Sequence, residues 1–195
     1  MSSFAPKRDP KTIGDWIALP ETARVELIDG EFVEKAAPTF EHGLAQGRTV
    51  GAIGGAYNRR LDGPRGLGGW WIVTEVDIVL DGRGYRPDIS GWRRERALAP
   101  PNERPVSLRP DFICEIVSES NRATDTVTKL RRYHQAGVPH YWILDQLDGT
   151  LTVHRHMTDG YLLALRAGRD ERVRAEPFEA IELQVSLLLG ADEDE

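Results

Sequence analysis

The run Phe112-Ile113-Cys114-Glu115-Ile116-Val117 constrains this chain more than any other stretch. A short, continuous apolar run rich in branched residues reads as a strand buried on both faces. One carboxylate, Glu115, sits inside it. Ionised carboxylates are almost never buried without a partner, because removing their water costs several kcal/mol or more. Glu115 therefore requires a cation beside it, and a metal ion is one candidate. A polar turn, a helix carrying Lys129 and a second apolar strand, Tyr141-Trp142-Ile143-Leu144, follow. The result is a strand–helix–strand unit with an acid in its sheet and a base on its crossover.

The 195 residues suit one domain, expected over 12–190, with a disordered start over 1–11 and an acidic tail over 191–195. No apolar run is long enough to span a bilayer. The start, MSSFAPKRDPK, lacks the apolar core of a signal peptide, so a cytoplasmic location is expected. Cys114 is the one cysteine and reads as a small core residue. The net charge of −6 argues mildly against bulk affinity for nucleic acid. Between Arg83 and Arg109, however, seven arginines face Asp88, Glu95 and Glu103, a local balance of +4. Those arginines would suit a phosphate backbone or simply a solvated loop.

Thr12 and Asp15 have capping-box spacing and predict a short helix over Ile13–Leu19. Asp29-Gly30 predicts a hairpin between Arg24–Ile28 and Glu31–Lys35. Thr39–Leu61 is the longest expected helix, with Leu44, Val50, Ile53, Tyr57 and Leu61 as its apolar stripe. Its glycines, Gly43, Gly47, Gly51, Gly54 and Gly55, weaken it and make sense if another element packs close. Strands are expected over Trp70–Leu80 and Arg86–Trp92, with a turn at Asp81-Gly82 and a charged excursion over Arg93–Pro110. The crossover helix Asp125–Ala136 ends at Gly137 and Pro139. The strand His140–Asp145 follows. Thr150–His156 and Tyr161–Arg166 then form an edge meander, and Pro177–Leu189 closes the chain.

The middle of the chain thus reads helix, strand, strand, strand, helix, strand. Asp88 falls in the second of these strands, Glu115 in the third and Lys129 on the next helix. Two acids on adjacent strands can converge on one cation while a lysine orients a water, the equipment of metal-assisted hydrolysis. Oxygen ligands suit Mg²⁺ or Mn²⁺ better than zinc, and the Ile116 carbonyl could contribute.

Arg86-Pro87-Asp88, Glu115-x-Val117-Ser118, Lys129-Leu130-x-x-Tyr133, Ala136-Gly137-Val138 and Tyr141-Trp142 resemble the Uma-two family, described as putative restriction endonucleases, within the PD-(D/E)XK nuclease superfamily. Glu26-Leu27-Ile28-Asp29-Gly30-Glu31 and Glu41-His42-Gly43 are similar too. The resemblance covers about residues 12 to 165. It implies an α/β, restriction-endonuclease-like fold: a mixed central sheet flanked by helices, core order αβββαβ, with an N-terminal hairpin and a C-terminal meander. It also implies Asp88 and Glu115 as metal ligands. The superfamily places a lysine two residues after the second acid, where this chain has Val117, and Lys129 is the substitute on the following helix.

Each residue has a plainer alternative. Asp88 could make a turn hydrogen bond, Glu115 a buried ion pair with an arginine, and Lys129 a surface pair with Asp125. Asp111 lies roughly 13 Å from Glu115 along the strand, so the two cannot share an ion. Asp77 reads as a solvated strand residue, with an extra ligand as the alternative. Glu41 suits a helix N-terminus or a helper carboxylate. His42, His134 and His140 show no ligand spacing, and the five tryptophans read as core. The expectation is a Mg²⁺-dependent nuclease acting on DNA, with Mn²⁺ as substitute and a C₂ homodimer as the usual oligomer. Its rivals are a non-catalytic nucleic-acid-binding or interaction module that keeps the fold, and a hydrolase of another phosphate ester.

Overall fold

The computed structural model describes residues 9–60, 67–117, 119 and 122–191. Residues 1–8 of the expected disordered start, Leu61 with the loop around Pro64, Ser118, Asn121 and the tail from Asp192 lie outside them. The capping box forms as expected. Thr12 Oγ1 accepts the Asp15 amide at 3.2 Å, the Asp15 carboxylate accepts the Thr12 amide at 2.8 Å, and helix α1 (Ile13–Ile17) follows. Asp29 and Gly30 take φ values of 51° and 81°, the positive pair a tight hairpin demands, between β1 (Val25–Ile28) and β2 (Glu31–Glu34). The Lys11 amide donates to the Gly30 carbonyl at 2.8 Å, so the end of the expected disordered arm is pinned to this turn.

Helix α2 (Phe40–Tyr57) starts at Thr39, whose hydroxyl caps the His42 amide. Its buried positions are His42, Ala45, Thr49, Ile53 and Tyr57, while Leu44 and Val50 are only half-buried. The glycine expectation fails: Gly43, Gly47, Gly51 and Gly55 are exposed, and a Cβ on any of them would meet nothing within 4 Å. Nothing in the structure explains them.

The expected strand Trp70–Leu80 is two strands in different sheets. β3 (Trp70–Thr74) ends where Glu75 takes a φ of 54°, and β4 (Ile78–Leu80) begins after Asp77. A positive φ cannot continue a pleat, so the chain turns out of the first sheet there. β4 and β5 (Arg83–Tyr85) form a hairpin through Asp81-Gly82. β6 spans Ile89–Arg93 rather than Arg86–Trp92, so Arg86-Pro87-Asp88 is a connection and Asp88 sits just ahead of the strand rather than within it. β7 is Phe112–Val117. The crossover then takes a wide π-helical turn over Thr124–Lys129 before α3 (Leu130–Gln135), so helical winding begins ahead of Asp125. Gly137 ends α3 with a φ of 72°. β8 (His140–Asp145), β9 (Thr150–Met157), β10 (Gly160–Gly168), the short pair β11 (Arg172–Val173) with β12 (Leu183–Gln184), and α4 (Val185–Leu188) complete the chain.

The central sheet has the order β10-β9-β8-β7-β6-β3, and only β7 and β8 pair in parallel, through the α3 crossover. With α2 ahead of it, the core runs α2, β3, β6, β7, α3, β8, the expected αβββαβ. The N-terminal hairpin joins β4 and β5 in a second sheet, β2-β1-β5-β4. Every residue of β7 is buried, as a strand covered on both faces requires. Phe112, Cys114 and Ile116 pack on one side with Ile53, Tyr57, Trp142 and Phe178. Phe112 meets the Trp142 and Phe178 rings edge-on at 5.1 and 5.0 Å, contacts worth about 0.5–1.5 kcal/mol each beyond area burial. Ile113 and Val117 pack on the other side with Tyr85, Tyr133, Tyr141 and Ile28. Glu115 shares that second parity, under the second sheet and α3. Among the described residues, no helix is long and apolar enough to cross a membrane.

Candidate metal centre

Extending the β6–β7 register by one residue from Ile89↔Cys114 sets Asp88 across from Glu115. Asp88 is buried, and its two oxygens do different work. Oδ2 accepts the Ile116 amide at 2.7 Å. Oδ1 accepts Lys35 Nζ at 2.6 Å, and His42 Nε2 lies 3.3 Å away without a well-aligned hydrogen bond. Lys35 comes from the end of β2, where its Nζ also donates to the Arg86 carbonyl at 2.7 Å and stands 3.5 Å from Glu75 Oε1. Gln46, one turn after His42 on α2, donates to the Asp88 carbonyl at 2.8 Å.

Glu115 lies in a second, deeper knot. Its Oε1 accepts Lys129 Nζ at 3.0 Å and the Tyr133 hydroxyl at 2.8 Å. The same ammonium stands 3.0 Å from Glu26 Oε2 and 3.2 Å from Asp125 Oδ1. Lys129 therefore does pair with Asp125, but it is 2% exposed and shared among three carboxylates, which is no surface pair. The π-helical turn ends at Lys129, a deviation from regular helix often found at functional sites. Glu26 is held in turn by the Arg86 amide at 2.9 Å.

The charges do not balance. Four buried carboxyl groups (Glu26, Asp88, Glu115 and Asp125) face the ammoniums of Lys35 and Lys129, so two of the acids have no ammonium of their own. The strain shows in the titrations. Burial pushes Glu115 up to about 8, with Asp125 and Asp88 adding to the rise and Lys129 opposing it. Burial raises Asp125 too, helped by the charges of Glu26 and Asp88. Burial would also raise Asp88, but His42 and Lys35 outweigh it and hold that carboxyl well below its usual range. Lys129 loses hydration, yet its carboxylates drive it well above an ordinary lysine. Buried acids without an ammonium of their own suit a divalent cation, which would favour their ionised forms. His42, Glu75 and Asp88 also bring one ligand atom each within 4.8 Å of one another.

Other candidates lie elsewhere. Asp77 is not solvated: it is buried in a two-pronged pair with Arg86 at 2.6 and 3.1 Å, plus Arg104 at 2.9 Å. Asp111 is buried and pairs with Arg96. Glu41 is exposed. The arginine run is largely spent on structure: Arg83 on Asp29, Arg109 on the Gly137 carbonyl, and Arg93 and Arg94 over Trp70 and Trp71. His134 stacks on His156, and Cys114 is buried and free. Trp16, Trp70, Trp92 and Trp142 are core, and Trp71 is half-buried. Read from the sequence, Glu26, Lys35 and Glu75 had no assigned role, and His42 was set aside for want of ligand spacing. Glu26 carried the same signal as Glu115, a carboxylate among strand residues. Lys35 and Glu75 carried none.

No curated protein matches the chain. A crystal structure described as a putative nuclease belonging to DUF820, from Anabaena variabilis, is similar over 92% of this chain and 98% of its own, with a TM-score of 0.72 and 21% identity. At that identity the likeness shows the fold alone, a mixed sheet flanked by helices. Residues 14–187 match the Uma2 family, whose description is "Putative restriction endonuclease". That match takes in β1, α2, the acid-bearing strands and the crossover helix together, and the chain belongs to the Uma2 family.

Proposed function

We propose that this protein is a metal-dependent endonuclease hydrolysing DNA phosphodiester bonds, with Asp88 and Glu115 holding Mg²⁺ and Lys129 positioning the attacking water. The observation that carries the reading is four buried carboxyl groups facing two ammoniums around Asp88 and Glu115, an excess of acids that a divalent ion would neutralise. The donors are oxygens, which suits Mg²⁺, with Mn²⁺ as substitute. Bound there, the ion would supply a water of lowered pKa and stabilise charge on the phosphoryl oxygens. The family description and that of the similar crystal structure support a nucleic-acid substrate.

The chain's own residues do the positioning. The Ile116 amide fixes Asp88 Oδ2, and a strand residue presents its N–H and C=O to the same side. The Ile116 carbonyl is therefore the third ligand. Tyr133 and Lys129 fix Glu115 Oε1. Because the Lys129 ammonium faces three carboxylates, it steers a water only by giving up one of them. Asp125, at 3.2 Å, is the longest of the three. Nucleases that cut both strands of a duplex commonly act as dimers, and a C₂ homodimer is the usual oligomer.

Calorimetric titration with Mn²⁺ tests the reading, on the wild type and on Asp88→Ala with Glu115→Ala, alongside cleavage of plasmid DNA and RNA in Mg²⁺. Binding lost in the double variant, with DNA cleavage lost in parallel, is expected. No binding by the wild type at millimolar metal would sink the reading. A second reading, a binding module with the same metal and no hydrolysis, is favoured by Val117 in the usual lysine position and by the saturation of Lys129. It predicts metal-dependent DNA binding without cleavage.

A further inference from the structure

We propose that His42, Glu75 and Asp88 form a second divalent-cation position, which prefers a transition-metal ion to Mg²⁺ and is filled by the Lys35 ammonium when no ion is bound. It shares Asp88 with the site of the proposed nuclease reading and otherwise uses other residues.

Three observations converge. The ligand atoms of the three side chains already lie within 4.8 Å of one another. Ligands about 2.1 Å from one ion and about 90–120° apart are separated by roughly 3.0–3.6 Å, so closure takes at most about 1–2 Å of side-chain movement. His42 is more than nine-tenths buried, yet its Nε2 makes no well-aligned hydrogen bond, Asp88 Oδ1 standing 3.3 Å away, and the buried Oε2 of Glu75 has no hydrogen-bond partner. Buried polar atoms are seldom left unpaired, and these two belong to the same cluster. The third observation is Lys35. Its Nζ touches Asp88 Oδ1 at 2.6 Å and stands 3.5 Å from Glu75 Oε1, placing a positive charge among the ligands.

The chemistry follows. Asp88 Oδ2 stays on the Ile116 amide, while Oδ1 exchanges Lys35 for the ion. A lysine is a point charge on a flexible four-carbon stem, so it can leave without disturbing the backbone. Glu75 also lines an open cleft with Arg24, Asp77 and Arg86, which gives an ion a way in. Imidazole favours later first-row ions over Mg²⁺, and Mn²⁺ accepts both nitrogen and oxygen donors. The mixed donor set thus separates this position from the all-oxygen one at Asp88 and Glu115.

Mn²⁺ itself is the probe, with protein free of any histidine tag. Pulsed electron paramagnetic resonance reads the coupling between bound Mn²⁺ and imidazole nitrogen, and equilibrium dialysis counts ions. The wild type should bind two Mn²⁺ and show nitrogen coupling that excess Mg²⁺ does not remove. His42→Gln should lose the coupling and one ion. Lys35→Met should bind the nitrogen-coupled ion at least tenfold more tightly. Glu115→Gln should keep the coupling while losing the other ion, so the two sites fail independently. Asp88-dependent Mn²⁺ binding without nitrogen coupling overturns this proposal and leaves the nuclease reading standing. Nitrogen coupling with no Glu115-dependent ion does the reverse. No Mn²⁺ bound by the wild type or by Lys35→Met overturns both. Should His42→Gln fail to fold, the wild-type spectrum still decides.

Discussion

Replacing Lys129 by methionine keeps the length of the side chain and removes the one ammonium among Glu26, Glu115 and Asp125. Its Nζ lies 3.0, 3.0 and 3.2 Å from their oxygens. At an effective dielectric near 20, a contact of about 3 Å is worth about 5 kcal/mol before costs. Desolvation of the lysine and repulsion among the acids take back most of that sum. What remains is the penalty for stranding buried carboxylates, about 3–5 kcal/mol, against about 0.3–0.5 kcal/mol for an exposed i,i+4 pair. Urea denaturation followed by circular dichroism, without metal, reads the difference. With a slope of about 2 kcal/mol per molar urea, the midpoint should fall by roughly 2 M. Adding Glu115→Gln removes one stranded charge and should recover about 1–2 kcal/mol. A loss below about 1 kcal/mol for Lys129→Met would refute the reasoning, because Lys129 would then be solvated like any surface lysine.

Other expectations follow from the same structure. Gly47→Ala and Gly51→Ala, on the open face of α2 with nothing within 4 Å, should each raise stability by about 0.5–1 kcal/mol in thermal melts. Destabilisation by either would mean that this face is covered. Gly84→Ala puts a Cβ 2.3 Å from the Trp16 ring, whose Nε1 donates to the Val25 carbonyl at 2.7 Å. A loss of about 1–3 kcal/mol and an altered tryptophan near-ultraviolet signal are expected. Burial, with the charge of Arg93 beside it, pushes His140 down to about 4 from an ordinary 6.5. Below pH 6.5 the unfolded chain takes up this proton first, so the stability present above 6.5 is lost as pH falls towards 4. Discounted for its partial exposure, the effect is about 1–2 kcal/mol, and His140→Gln should flatten the pH profile by that amount. An unchanged profile would refute the assignment.

Some of this was fixed by local chemistry. The capping box at Thr12, the Asp29-Gly30 turn and the stop at Gly137-Pro139 all act through dihedral preferences and nearest hydrogen bonds, which neighbours in sequence decide. The burial of β7 was legible because five apolar residues among six consecutive positions leave no face for water. Glu115 within it announced a cation for the same reason.

Tertiary structure decided the rest, because it depends on partners far away in the chain. Trp70–Leu80 reads as one strand until the positive φ at Glu75 sends β4 into another sheet. Asp125 and Lys129, four apart on a helix, look like a surface pair until β1 brings Glu26 and the second sheet over them. Asp77 looks solvated until Arg86 and Arg104 close on it. Lys35, His42 and Glu75 come from a strand end, a helix start and a strand break, and no spacing rule links three such places. A sequence states which groups are too polar to bury alone. Which cation meets which acid is settled only when separate elements pack, because Coulomb energy depends on distance in space.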